Sequence, residues 1–416
     1  METIVKLQFE EQGAGAASGG YRSIFDQVID RRNSNSLKWA FGEKLLSAEE
    51  YAADPLPMWV ADMDFRTPQP VIDALHEAVE FGVFGYSRGA TERYVSAVIE
   101  WQAKRFGWDV SSEWVLQSSG IITALKNAIQ AFSAPGDSVL IQTPVYAHFH
   151  DDVVLNGRRV VCAPLERKGA VYRFDEKIFE AAIKPDTRLF ILSNPHNPTG
   201  NVWSEAELRA MGEICLRHGV IVISDEIHQD LILNPLKKHI PFASLSSQFA
   251  DMSITCTAPS KTFNLPGLQS ANLFVPNARL REELRRQFDR NMYQSVNSLG
   301  MVAAEAAYSH GEFWLEALLP YLRENQNVFR QAVNGLTSKI EVLPTDALYL
   351  AWMDCRGLGL DPDELNTFML TQARLWLDKG QKFGMDGHGY MRANLGCPRS
   401  TIDEAVRRLA GALAVI

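Results

Sequence analysis

No stretch of the 416-residue chain approaches the run of about 20 apolar residues that a membrane helix needs, and residues 1–10 lack the cationic-then-apolar layout of a secretory signal. A cytoplasmic protein is expected. Cysteine is scarce: Cys162, Cys215, Cys256, Cys355 and Cys397 are odd in number and have no CxxC spacing. Neither a disulfide framework nor a zinc site is indicated, and the five read as reduced, mostly buried thiols. Long basic runs are absent and the net charge is -9, which argues against nucleic acid as the main partner and for small molecules. No internal repeat is evident. What remains, 46% hydrophobic and 22% charged residues, is ordinary globular material, long enough for two domains.

Residues 10–20, Gly- and Ala-rich with few large apolar side chains, read as the end of a flexible leader over 1–20. From about 115 to 275, apolar runs at 138–141, 160–164, 189–192, 220–224, 253–257 and 271–275 alternate with helical stretches. That rhythm predicts an α/β fold with a mainly parallel central sheet and helices on both faces. Ser204 and Glu207 predict a capping box, followed by a buried helical stripe of Leu208, Met211 and Cys215. The large domain is placed at 61–289. A smaller α+β domain is expected at 290–416, with 21–60 packing against it. Its signals are one strand-like run at 347–353 and a final helix opened by Ser400, with Ile402, Ala405, Val406, Leu409 and Leu413 on its apolar face.

Four groups of residues carry possible chemistry, and each has a bland alternative. Ser193-Asn194-Pro195-His196-Asn197-Pro198-Thr199-Gly200 follows a strand but is also a plausible Pro-rich turn. Ser224-Asp225-Glu226-Ile227-His228 ends an apolar strand in two carboxylates and an imidazole, where ligands bind parallel sheets. In Ala258-Pro259-Ser260-Lys261-Thr262-Phe263-Asn264, a Lys stands among small and apolar neighbours, although a lone Lys is usually a solvated charge. Ser118-Ser119-Gly120-Ile121 opens a helix whose free N–H groups suit a phosphate, or is simply a cap. His148, His150, Asp151 and Asp152 lack any further pair at zinc spacing, and Asp62 with Asp64 reads as structural.

The order of these groups changes the odds: a Gly helix start, Tyr146, the 193–200 turn, the 224–228 run, Ser260-Lys261, and Arg392 within Tyr390-Met391-Arg392-Ala393-Asn394-Leu395-Gly396. In that order the chain resembles the fold-type I pyridoxal-phosphate (PLP) enzymes of the class I/II aminotransferase superfamily. More narrowly it resembles their MalY/PatB-type carbon-sulfur lyases, or cystathionine β-lyases. Met58-Trp59-Val60-Ala61-Asp62-Met63-Asp64-Phe65 and the 258–268 stretch are the most discriminating. The resemblance implies that Lys261 carries PLP as a Schiff base and then acts as the base on Cα. It implies that Asp225 pairs with the pyridine nitrogen, Asn197 donates to the ring 3'-oxygen, and Tyr146 stacks on the ring, with His228 nearby. Gly120 and Ile121 N–H groups, the Ser260 hydroxyl and Tyr86 from a partner subunit would hold the phosphate, which makes the protein a homodimer with shared sites. Arg392, with Asn197, would grip the substrate carboxylate through its planar fork.

There are departures. Many aminotransferases have Tyr where His228 stands and Arg where Gln269 stands, so phosphate binding leans on other donors, and the Asp-Glu-Ile-His form favours elimination. Leu348 occupies a place usually small, and Ala147-His148 follows Tyr146 where Pro is frequent; both could reshape the substrate pocket. The resemblance implies α,β-elimination of L-cystathionine or another cysteine S-conjugate to a thiol, pyruvate and ammonia. An aminotransferase and a PLP-bearing regulatory protein stay open as alternatives, the latter without a helix-turn-helix extension to support it.

Overall fold

The computed structural model describes residues 22–87, 89–292 and 296–414, so the leader expected over 1–20 lies outside the described residues. Seven strands form the main sheet: β1 (Val115–Ser118), β2 (Ser138–Ile141), β3 (Arg159–Cys162), β4 (Thr187–Ser193), β5 (Ile221–Asp225), β6 (Ser253–Thr257) and β7 (Ala271–Phe274). Their spatial order is β1-β7-β6-β5-β4-β2-β3. Strand β7 runs antiparallel to both neighbours and the other pairs are parallel. All six expected apolar runs are strands, with ends displaced by two residues at most. Strand β1 was not among them, because Gln117 and Ser118 interrupt its short apolar run.

Alternation along the strands divides the core into two layers. Val139, Ile141, Leu189, Ile191, Ile223 and Ile254 meet Ile121, Leu125 and Ile129 of the helix Ile121–Phe132. Leu140, Phe190, Leu192 and Val222 face the opposite way, onto Leu208, Met211 and Cys215 of the helix Glu205–His218. That second helix starts with the expected capping box: Ser204 Oγ accepts from Glu207 N at 3.3 Å, and a Glu207 carboxylate oxygen accepts from Ser204 N at 2.9 Å. Such a cap is worth about 1 kcal/mol.

A second sheet, antiparallel and four-stranded, is built from β8 (Glu341–Val342), β9 (Leu350–Asp354), β10 (Asp378–Lys379) and β11 (Tyr390–Asn394) in the order β8-β9-β11-β10. The helices Glu312–Leu336 and Arg399–Leu413 cover it through Phe329, Val333, Ile402, Ala405 and Leu409. Two expectations need correction. The 347–353 run is strand only from Leu350, because Ala347 instead bridges to Ile232 and Leu348 takes a φ of 73°. The final helix starts at Arg399 with Pro398 as its cap residue, so Ser400 lies inside the first turn; Pro398, with no N–H to leave unpaired, already fixes the entry angle.

The helix Ser298–His310, which follows the expected 289/290 division, packs Ala303, Ala304 and Ala307 into the same core as Val71, Tyr94 and Val98. The N-terminal segment touches both bodies: Leu56–Pro57 pairs in parallel with Leu375–Trp376, whereas Phe25 stacks edge-on against Phe65 and Trp314. The described cysteines are all free, Cys162 exposed and the other four buried. No helix among the described residues is long and apolar enough to cross a membrane.

Candidate active site

Parallel strands end at one edge of a sheet, and the residues singled out by sequence stand just past those ends. Gly120 follows β1, Tyr146 follows β2, the 194–200 turn follows β4, Asp225 ends β5 and Lys261 follows β6. Register aligns Ser193, Asp225 and Cys256 across the three central strands.

The 193–200 turn is a folded loop pinned to its neighbours. Ser193 Oγ accepts from Asn197 N at 3.2 Å, His196 Nε2 lies 2.8 Å from the Pro144 carbonyl, and Tyr146 N donates to the Asn197 carbonyl at 3.1 Å. Burial pushes the His196 imidazole down to about 4, so it is neutral and donates from Nε2. Tyr146 and Asn197 are thereby fixed side by side.

Lys261 sits in the short helix Pro259–Thr262, partly exposed, and donates from Nζ to the Ala61 carbonyl at 2.5 Å. Burial and the nearby Arg392 charge lower its pKa to about 8, against the opposing pull of Asp62 and Asp225. A sizeable fraction of the amine is therefore neutral near neutral pH and able to attack a carbonyl. Asp225 is buried and pushed up to about 7 by that burial, against which Ile227 N–H donates to its Oδ1 at 3.1 Å. The adjacent Glu226 is absorbed structurally by His239, Ser224 and the Phe242 N–H. His228 is buried, and burial, then the charges of Lys261 and Arg392, hold it well below the usual imidazole range.

Arg392, on β11, arrives from the small sheet and is 3% exposed. Its guanidinium lies 4.8 Å above the Phe383 ring and donates to Asn197 Oδ1 at 3.1 Å, to the Trp59 carbonyl at 3.2 Å and to Asp378 Oδ2 at 2.7 Å. Its Nε is a buried donor with no partner among the described residues. Arg392 and its partner Asp378 are both buried, so this is not a surface ion pair. Asp378 was missed at the level of sequence, where an acid two residues past Trp376 carries no signal.

The 58–65 stretch has no regular structure, is buried at Met58 and 63–65 and half-buried between, and the side chains of Tyr349, Asn394 and Asn264 bond to its backbone. Asn394 Nδ2 donates to the Val60 and Asp62 carbonyls at 2.5 and 2.6 Å. Asn264 donates to Met63 O and Phe65 O and accepts from Met63 N. Tyr349 Oη donates to the Ala61 carbonyl at 2.9 Å, the same oxygen that receives Lys261. Asp62 and Asp64 pair with Arg31, and Asp64 also with Lys38. Leu348, in contrast, is fully buried and shows no surface to a pocket; the side chain reaching the site is its neighbour Tyr349.

The remaining expected residues divide into two groups. Gly120 is the N-cap of the helix Ile121–Phe132, with a φ of 135° and no side-chain cap, so the first N–H groups of that helix stay available for an anion. Apart from its own chain neighbours, no described heavy atom lies within 4 Å of where a Gly120 Cβ would be. Ser260, immediately before Lys261, is buried. Tyr86 stands apart, fully exposed in the irregular 82–87 stretch, and is not brought to the cluster within one chain. The residues that are gathered fit PLP: an amine for its aldehyde, a raised carboxyl for its ring nitrogen, an uncapped helix start for its phosphate and a buried arginine with a spare donor.

Comparison with known proteins agrees with this geometry. The chain is 42% identical to cystathionine beta-lyase PatB of Bacillus subtilis over 94% of its own length and 100% of that protein's. Cystalysin from Treponema denticola, solved with a pyridoxal 5'-phosphate cofactor, superposes with a TM-score of 0.89 at 33% identity, covering 94% of this chain and 98% of that one. The PLP-bound C-S lyase from Staphylococcus hominis does so with a TM-score of 0.85 at 32% identity, covering 94% and 97%. With residues 54–409 matching the family described as aminotransferase class I and II, the chain belongs to that family.

Proposed function

We propose that this protein is a PLP-dependent carbon-sulfur β-lyase that splits L-cystathionine or other cysteine S-conjugates into a thiol, pyruvate and ammonia. The observation that carries the reading is Lys261: a partly exposed amine of lowered basicity at the end of β6, between the acid Asp225 and the buried cation Arg392. Bound PLP supplies an electron sink for the pair left on the substrate α-carbon. In this reading Lys261 anchors the cofactor, then takes the Cα proton, and its low basicity lets it cycle between the two forms near neutral pH.

Asp225 faces the ring nitrogen, where a positive partner would return its carboxyl to the ionised form. Asn197 accepts from Arg392 through Oδ1, which leaves its Nδ2 to donate to the ring 3'-oxygen. Tyr146 would cover the ring face and stays a phenol, its pKa pushed up to about 12 mainly by burial. Gly120 and Ile121 N–H groups and Ser260 Oγ would hold the phosphate, and His228 is kept neutral by burial. Arg392 receives the substrate carboxylate with Asn197 at its side, and Phe383 keeps water off its face.

The assembly belongs to the same reading: a cytoplasmic homodimer in which Tyr86 of the partner subunit completes each phosphate site. An exposed run supports it, since Phe81, Val83, Phe84 and Tyr86 all stand in solvent in a single chain, and such contiguous apolar surface marks an interface. The catalytic reading is tested by incubation with L-cystathionine and no keto acid. Pyruvate and a free thiol are expected in equal amounts; product formation only after a keto acid is added would make the protein an aminotransferase instead.

A further inference from the structure

Asp62 and Arg31 stand behind the candidate active site, and neither is used by the chemistry above. Arg31 donates from NH2 to Asp62 Oδ2 at 2.6 Å and from NH1 to Asp64 Oδ1 at 2.7 Å and the Met63 carbonyl at 3.2 Å. Asp64 has a second cation, Lys38 Nζ at 2.6 Å on Oδ2. Two cations and two carboxylates thus balance across the 62–64 stretch. The other Asp62 oxygen, Oδ1, is buried and has no partner among the described residues. A carboxylate oxygen kept from water without a donor is unfavourable, and a purely structural pin would not need it. The peptide carbonyl just before Asp62 is the one that holds Lys261 Nζ at 2.5 Å.

We propose that Asp62, itself held by Arg31, is a positioning residue that sets how readily Lys261 gives up its proton, so that the N-terminal segment tunes the amine of the site. The inference rests on Lys261 being the cofactor-bearing amine of the proposed lyase. Three charged groups among the described residues act on Lys261. Arg392 from β11 is the cation; Asp225 from β5 and Asp62 are the anions. His228 is kept neutral by burial, and Tyr349, raised by burial and then by Asp62, stays a phenol on the shared Ala61 carbonyl. Arg392 and Asp225 are placed to meet substrate and cofactor in the proposed reading, so the Arg31–Asp62 pair is the contribution that a distant part of the chain can alter without touching either.

The signs are opposite for the two partners. Replacing Asp62 with Asn removes negative charge near Lys261 and disfavours its protonated form. Replacing Arg31 with Gln unmasks that negative charge and favours it. The apoprotein is titrated with pyridoxal phosphate between about pH 6 and pH 10, and covalent attachment to Lys261 is followed by visible absorbance and borohydride trapping; attachment needs the neutral amine. D62N should move the midpoint to lower pH by roughly half a unit to one unit, R31Q should move it upward by a similar amount, and D62E should stay near the parent. Coincident midpoints, or shifts in the same direction for D62N and R31Q, overturn the inference. If D62N does not fold, R31Q decides alone, and an unshifted or lowered midpoint overturns it. A parent protein that never attaches the cofactor at any pH defeats the lyase reading itself, whereas normal attachment with unmoved variants defeats only this inference.

Discussion

A carboxyl at the end of β5, 6% exposed and met by the single N–H of Ile227, has lost its water with little to replace it. Burial therefore raises Asp225 from its ordinary 3.8 to about 7. Because the folded pKa is the higher one, the folded state holds this proton more tightly. Its stabilising effect is complete below about pH 4 and disappears as pH rises through about 7. Asp225→Asn keeps the shape and the acceptor for Ile227 but has no charge to bury. The apoprotein variant should be more stable to unfolding than the parent at pH 8 by on the order of 1–4 kcal/mol, with the gap closing near pH 4. A gap that persists at pH 4 would assign the effect to packing instead. Residue chemistry was the most legible level in the sequence: Lys261, Asp225, Asn197 and Tyr146 are gathered at one sheet edge. Asp378 and Tyr349 were not legible, because each acts through a partner far away in the chain, Arg392 and Ala61, and no local spacing encodes such pairs.

Strand elements were legible for a different reason. Short runs rich in β-branched and apolar residues, set between helical stretches, announce parallel core strands, and β2 (Ser-Val-Leu-Ile) and β6 (Ser-Ile-Thr-Cys-Thr), buried throughout, were placed at their observed ends. The 58–65 stretch has no period to read, yet Asn264 and Asn394 pin its backbone by side-chain hydrogen bonds. Asn264 satisfies three backbone groups at 2.8–2.9 Å while holding a φ of 58°, a left-handed conformation that Asn tolerates and Ala does not. Asn264→Ala should lose roughly 2–4 kcal/mol in denaturant unfolding, from unsatisfied donors and acceptors plus backbone strain. Asn264→Gly leaves the same groups unsatisfied but relieves the strain, so it should lose about 1 kcal/mol less. Equal losses would mean that the left-handed backbone contributes nothing. Leu348 shows the converse limit: its φ of 73° and full burial depend on how the chain leaves the Ile232 bridge for β9, which residue type alone does not disclose.

At the scale of the whole molecule, one residue of the expected cofactor set, Tyr86, is stranded in solvent while the others converge. The exposed Phe81, Val83 and Phe84 beside it give that stretch a surface that a second copy would cover. If Tyr86 of the partner subunit completes each site, then Lys261→Ala and Tyr86→Ala damage different halves of it. Each variant alone should have little lyase activity. Unfolded or dissociated together in equal amounts and reassembled, about half of the dimers are hybrids, and each hybrid has one site with both lesions and one with neither. About a quarter of all sites are then intact, so the mixture should regain roughly a quarter of the parent's pyruvate formation. Sites confined to single chains would give no recovery at all, because no chain in the mixture contains both Lys261 and Tyr86. The outcome thus separates a shared site from a merely dimeric protein, which a measurement of molecular mass cannot do.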